Sequence, residues 1–226
     1  MRGEALHRAT LALWVATTIL MCVAIYLVFL YAPDERVMGA VQRVFYFHVP
    51  VALMAFLAVF VVLVGSAGYL WTREPRWDHL ARAATETGVL FCTLVLLTGP
   101  IWARPAWGVW WTWEAKLTTT LLLWLLLVSC LMVRGYTHDR DLGARLAAIV
   151  GIVAAVDVPI IYKAVDLWKG QHPVLERGGL APAMSVTFRF CLLVFLLFFC
   201  LLLLLRYRVA ELEERTDLAV ERAGAR

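Results

Sequence analysis

The chain has 226 residues, 62% of them hydrophobic and 17% charged, with a net charge of +4 and a mean hydropathy of +0.78. Soluble domains run near about 45–50% apolar and about 25% charged, so this composition excludes a soluble globular enzyme and a disordered chain alike, and identifies an integral membrane protein. The modest positive surplus gives no reason to expect a nucleic-acid partner.

A spanning helix needs about 20 mostly apolar residues, and its backbone must satisfy itself in lipid. Six segments qualify: Leu11–Tyr31, Val49–Trp71, Ala84–Trp102, Leu117–Val133, Ala144–Tyr162 and Met184–Leu205. The expected fold is an all-α integral membrane protein, a single polytopic domain over 1–226 with six transmembrane helices. No small-residue cleavage pattern follows the first segment, so it is expected to be a retained helix and not a signal peptide. The second opens on Phe45-Tyr-Phe-His-Val-Pro50. Pro50 suits the first turn of a helix, where a missing N–H costs nothing, which puts His48 at the helix mouth.

Between the third and fourth segments, over 102–116, lies the run Gly99-Pro-Ile-Trp-Ala-Arg-Pro-Ala-Trp-Gly-Val-Trp-Trp-Thr-Trp-Glu-Ala-Lys116, which holds five of the ten tryptophans. Indole favours the membrane-water boundary and stacks on flat π-systems. If 107–114 is helical, Trp107, Trp110, Trp111 and Glu114 share one face at i, i+3, i+4 and i+7, with Trp113 off it.

In the fifth segment Asp157 stands in Ala155-Val-Asp-Val-Pro159, about a turn and a half from the expected outer end. It is either a functional carboxylate or one that reaches water. Glu86 and Arg189 lie close enough to helix ends to snorkel. The polar stretches Lys163–Ala183 and Arg206–Arg226 have too few apolar residues for cores of their own.

Thirteen Lys and Arg fall on the side that holds both termini (in 1–10, 72–83, 134–145 and the tail 206–226), against seven on the other. The positive-inside rule then places both termini in the cytoplasm and the tryptophans outside. His7, His79 and His138 fall in charge-rich inner segments as ordinary solvated residues. His48 and His172 fall outside, the latter in Leu167-Trp-Lys-Gly-Gln-His-Pro-Val174, where Pro173 biases it toward extended backbone.

Two imidazoles from separate elements beside a tryptophan platform are what a planar tetrapyrrole with two open axial positions requires. Its carboxylates would want cations, for which Arg43, Arg104, Lys116 and Lys169 are the outer-side candidates. An interfacial aromatic belt with two solvated or structural histidines would carry the same residues, and spacing alone leaves that reading open. The five cysteines, at 22, 92, 130, 191 and 200, all fall within expected helices without a C-x-x-C. Thioether attachment of haem and thiol-disulfide chemistry are therefore not expected, and the cysteines read as small buried hydrophobes.

The segment Trp107-Gly-Val-Trp-Trp-Thr-Trp-Glu-Ala-Lys-Leu-Thr118 resembles the tryptophan-rich WWD signature of haem-handling proteins in cytochrome c biogenesis. Tyr46-Phe-His-Val-Pro50 and Val165-Asp-Leu-Trp-Lys-Gly-Gln-His172 resemble the family's two axial-histidine regions. Six helices in this length are similar to its short branch, the haem exporter C proteins of the multi-subunit maturation system. Glu114 departs from the signature's Asp but keeps the carboxylate.

The resemblance implies a transient, non-covalent b-type haem at the outer face of a bacterial inner membrane, or a mitochondrial equivalent, with His48 and His172 as its metal ligands. Trp107, Gly108, Trp110, Trp111, Trp113, Glu114, Arg43 and Lys116 would surround it. Implied partners are a periplasmic haem chaperone, and the ABC-type ATPase and membrane subunits of the maturation complex. This chain has no phosphate-binding glycine loop and no visible acid-base site, so a transfer component and not an enzyme is expected. The rival readings are a single-haem membrane b-type cytochrome reacting with quinol, and a small-molecule transporter. The latter predicts internal repeats and interrupted helices, neither of which the sequence offers.

Overall fold

The structure, a computed structural model, describes residues 2–137, 139–168, 170, 172 and 180–224, with side chains described throughout these except at 2–7, 221 and 224. Six α-helices follow one another: α1 (Arg2–Tyr26), α2 (Phe45–Thr72), α3 (Pro75–Trp107), α4 (Ala115–Tyr136), α5 (Arg140–Trp168) and α6 (Pro182–Gly224). All six are long and apolar enough to cross a membrane, and no strand occurs among the described residues. One end of the bundle carries both termini. The other carries the tryptophan run and is called here the tryptophan end.

α1 widens into a π-turn over Leu27–Tyr31, with the Ala32 amide donating to the Leu27 carbonyl five residues back at 2.8 Å. A reverse turn follows, in which the Glu35 carboxylate accepts the amides of Val37 (2.7 Å) and Met38 (2.6 Å). Gly39, at φ +57, closes this turn in a region that side-chain-bearing residues avoid. The Met38 and Val37 amides hold the Glu35 carboxyl below the usual carboxylate range. A depressed pKa strengthens the folded turn above the unfolded value and loses that contribution as pH falls through the folded one. Amide exchange at Val37 and Met38, corrected for its intrinsic rate, should therefore quicken below about pH 4; unchanged protection under stronger acid would count against the tie.

A 3₁₀ turn at Ala40–Val44 leads directly into α2, so that helix starts at Phe45 and Pro50 lies inside it. Pro50 is thus not a first-turn residue, and it leaves the Tyr46 carbonyl without its helical donor. Pro100 and Pro105 inside α3 and Pro159 inside α5 do the same, and all four prolines fall in the half of the bundle nearest the tryptophan end. α2 and α3 are joined by a tight connection, Arg73 in the left-handed region at φ 61 and Pro75 at the first helical turn. The Asp139 carboxylate caps α5 by accepting the amides of Asp141 and Leu142.

α2 is central, packed along α3, α5 and α6. Small residues allow the approach, because lipid supplies no hydrophobic drive between helices and close contact must. A Cβ on Gly65 would stand 2.7 Å from the Ala81 nitrogen, one on Gly68 2.5 Å from the Trp77 ring, and one on Gly151 2.7 Å from Val62. α1 packs mainly on α6. Its Val28 joins Phe45, Trp102, Met184 and Cys191 in a second core cluster beneath the tryptophan end.

The end with the termini is laced by charge. Arg134 of α4 grips Asp78 of α3; Glu86 of α3 meets Arg82 and Arg206; Arg82 also meets Glu213; and Arg140 of α5 meets Asp217. Tyr69 of α2 donates to Asp141 at 2.7 Å. These contacts explain why 206–224 is no tail: α6 runs through it as one helix docked on α3 and α5. Glu86 is likewise internal, paired across helices and not a snorkelling end residue, whereas Arg189 is exposed on α6.

His79 is buried, 2.9 Å from Glu214 and edge-on to Tyr207, so it is no solvated loop residue; His138 and the side chain of His7 lie outside the described residues. Cys92, Cys130 and Cys191 are buried, but Cys22 and Cys200 occupy exposed helix faces, and all five are free.

Candidate functional site

α3 ends where Gly108 adopts φ +80 and its amide donates to the Arg104 carbonyl at 3.0 Å, a left-handed C-cap that glycine adopts without strain. The Arg104 guanidinium in turn donates to the Gly108 carbonyl. The chain is non-helical from 108 to 114 and re-enters a helix at Ala115, with Glu114 as the N-cap residue. A carboxylate suits that position because the helix dipole is positive there. Trp107, Trp110, Trp111 and Glu114 therefore do not share a helix face: Trp107 closes α3 and the others belong to the connection. Trp110 and Trp113 are exposed, while half-buried Trp111 meets Trp113 edge-on with ring centres 5.7 Å apart.

His48 is buried in the first turns of α2. Its Nδ1 lies 2.8 Å from the Thr98 hydroxyl of α3, and its ring meets Trp102 edge-on at 5.8 Å. Its Nε2 makes no hydrogen bond among the described residues. Trp102 is itself buried, its indole N–H without a partner among the described residues. His172, from the connection between α5 and α6, has its ring 6.4 Å from that of Trp107. His48 lies within electrostatic reach of both His172 and Lys116. The structure thus brings the two histidines, distant in sequence, to one end with a tryptophan beside each.

Lys116, in the first turn of α4, is half-buried and lies within electrostatic reach of Glu114 and Asp166. The absence of a side chain at Gly170 lets Glu114 come close, since a Cβ there would stand 2.7 Å from its Oε2. Arg43 is ion-paired to Asp34 at 2.9 Å and donates to the Phe29 carbonyl, so it is tied to the end of α1. Lys169 lies outside the described residues.

Asp157 is 5% exposed, and its Oδ2 has no hydrogen-bond partner among the described residues. α5 continues to Trp168, three turns beyond it, so Asp157 does not reach water at a helix end. Three participants escaped the sequence reading: Thr98, Asp166 and Gly170. Thr98 carried a faint signal as a hydroxyl inside an apolar helix just before Gly99-Pro100.

Among the described residues no three His, Cys, Asp or Glu side chains gather to hold a bare metal ion. Two imidazoles among indoles fit instead an iron that arrives with four equatorial nitrogens of its own.

Residues 3–222 match the family model described as heme exporter protein C. Among curated proteins named heme exporter protein C, that of Bradyrhizobium diazoefficiens is 36% identical over 190 residues, covering 83% of this chain and 71% of that protein. The Haemophilus influenzae protein is 34% identical over 204 residues (88% and 82%). The Escherichia coli K12 protein is 32% identical over 199 residues (86% and 80%).

Proposed function

Because the chain belongs to the heme exporter protein C family, we propose that it holds haem at the tryptophan end and hands it on for cytochrome c maturation. His48 and His172 are the axial ligands, and the tryptophans from 107 to 113 flank the ring. The observation that carries this reading is the convergence of His48 and His172 at one end of the bundle, each imidazole beside a tryptophan ring.

The haem is cargo, and this chain's residues hold it. His48 is fixed in the helical wall by Thr98 and Trp102, a buried and preorganised ligand. His172 comes from a connection and closes the opposite axial position. Trp107 shields His172 from water, and exposed Trp110 and Trp113 supply flat apolar surface at the rim. Lys116, within electrostatic reach of His48, is the cation offered to a haem carboxylate, with Glu114 and Asp166 as its acidic neighbours. Arg43 and Arg104 serve the protein's own backbone and assist by holding the connections.

The excess of Lys and Arg at the end with the termini supports a cytoplasmic location for both termini in a bacterial inner membrane, and hence delivery outward to a periplasmic haem chaperone. The sequence of this chain carries no phosphate-binding glycine loop, and the chain draws on the ATPase and membrane subunits of the maturation complex.

The test is an absorption spectrum of the purified full chain beside His48→Ala, His172→Ala and the double variant, with and without imidazole. Each single variant should lose or weaken a low-spin haem spectrum that imidazole partly restores. Absent haem, or equal binding by all four proteins, would remove the axial assignment.

A further inference from the structure

We infer that Thr98 is a positioning residue for His48: its hydroxyl accepts the Nδ1–H, fixes the imidazole tautomer and leaves Nε2 as the ligating nitrogen. This rests on the haem reading above and adds to it a residue from a different helix.

The argument starts from the hydroxyl's single proton. Thr98 Oγ1 lies 2.7 Å from the Leu94 carbonyl oxygen one turn back and 2.8 Å from His48 Nδ1. Two oxygens at 2.7 Å repel unless a proton lies between them, so the Thr98 proton points at Leu94. A hydroxyl has one donor and two acceptor sites. What faces His48 is then a lone pair, and Nδ1 must carry the hydrogen.

The same helix repeats the device five residues earlier. Thr93 Oγ1 lies 2.7 Å from the Val89 carbonyl and 2.8 Å from Trp124 Nε1. An indole nitrogen only donates, so a back-bonded threonine of α3 acts there as an acceptor without ambiguity. With Nδ1–H engaged, the proton-free nitrogen of neutral His48 is Nε2, which has no hydrogen bond among the described residues.

An acceptor on the far nitrogen of an iron-bound imidazole locks its orientation and raises its basicity, which favours ferric over ferrous iron. Both helices contribute: α2 brings the imidazole and α3 the oxygen that aims it.

The experiment titrates haemin into the full chain in detergent and measures the midpoint potential of the bound haem, for wild type, Thr98→Val, Thr98→Ser and Thr93→Val. Thr98→Val is nearly isosteric and removes the acceptor that faces His48 together with the back-bond to Leu94, and Thr93→Val loses the equivalent back-bond. Thr98→Val should weaken haemin binding by about 10- to 100-fold and raise the midpoint potential, with Thr98→Ser returning both to wild type. Thr93→Val, which deletes the matching bond to a tryptophan, should leave the potential unchanged. If Thr98→Val does not fold, Thr98→Ala removes the acceptor without bulk and is judged the same way.

Wild-type affinity and potential in Thr98→Val, alongside loss of the low-spin spectrum in His48→Ala, overturns the role of Thr98 and leaves the haem site standing. So does a serine variant that restores neither property. No haemin binding by wild type overturns both.

Discussion

Gly65→Leu should abolish the folded bundle. A Cβ at this position would meet the Ala81 nitrogen at 2.7 Å and the Ala81 Cα and Cβ at 3.0 Å. The obstacle is the backbone of a neighbouring helix, which cannot swing aside as a side chain can. Overpacking a well-filled core costs about 1–3 kcal/mol, occasionally more. Here the cost should reach or exceed the top of that range, because α2 and α3 must part along their length. In lipid, where close contact between helices is a main source of association, little can offset that separation. Fluorescence-detected size exclusion and a thermal scan of the detergent-solubilised protein should show loss of the monodisperse peak. Gly135→Leu, whose Cβ would meet nothing within 4 Å, is the matched control. Wild-type elution and thermal midpoint in Gly65→Leu would show that the α2–α3 contact is loose enough to admit a side chain.

The second large effect is largely reversed between a single and a double substitution. Arg134 contacts Asp78 through two nitrogen-oxygen pairs at 2.6 and 2.9 Å, with the two side chains only 16% and 21% exposed. Asp78→Ala strands the guanidinium in a low-dielectric setting. Breaking a buried pair in this way costs about 3–5 kcal/mol, and the residual exposure places this pair toward the lower end. Replacing both partners with apolar residues of similar volume, Asp78→Leu with Arg134→Met, removes the stranded charge and should recover most of the loss. A double-mutant cycle on unfolding midpoints measures the coupling. A double variant as unstable as the single one would mean that the pair itself, and not the uncompensated charge, holds α3 to α4. Because the pair lies at the end with the termini, the haem spectrum should not change in either protein that folds.

The six helices were legible because each contains a stretch of apolar residues long enough for lipid, and a backbone in lipid has no alternative to helix. Hydropathy located the part of each helix inside the membrane and missed the polar extensions. α3 begins at Pro75, well before Ala84, and α6 runs on to Gly224 past Leu205. What extends them is cross-helix ion pairing, such as Arg82 with Glu213 and Arg140 with Asp217, and partners on different helices leave no periodic trace in a sequence.

The shared end for His48 and His172 followed from counting crossings, which is robust to errors in helix length. The path of the tryptophan connection was not legible from tryptophan spacing. Gly108 directly after Trp107 carried the stop signal, and it is the residue whose left-handed conformation ends α3. Pro50 misled because a proline signals a first turn only if nothing helical precedes it, and here the 3₁₀ turn at Ala40–Val44 does. The faint signal at Thr98 did not disclose its bond to His48, since a hydroxyl in an apolar helix most often bonds back to its own helix, as Thr85 and Thr87 do.

Each of the prolines at 50, 100, 105 and 159 removes one rung from a helical ladder, and all are gathered in one half of the molecule, while the interhelical ion pairs of α3, α4, α5 and α6 are gathered in the other. The bundle therefore has a mechanical polarity, clamped at the end with the termini and hinged toward the other. The proposed haem, a rigid disc entering between indoles, would be met by small bends of α2, α3 and α5 that stop short of the charged clamp, so helix order would be kept while the mouth fits its guest.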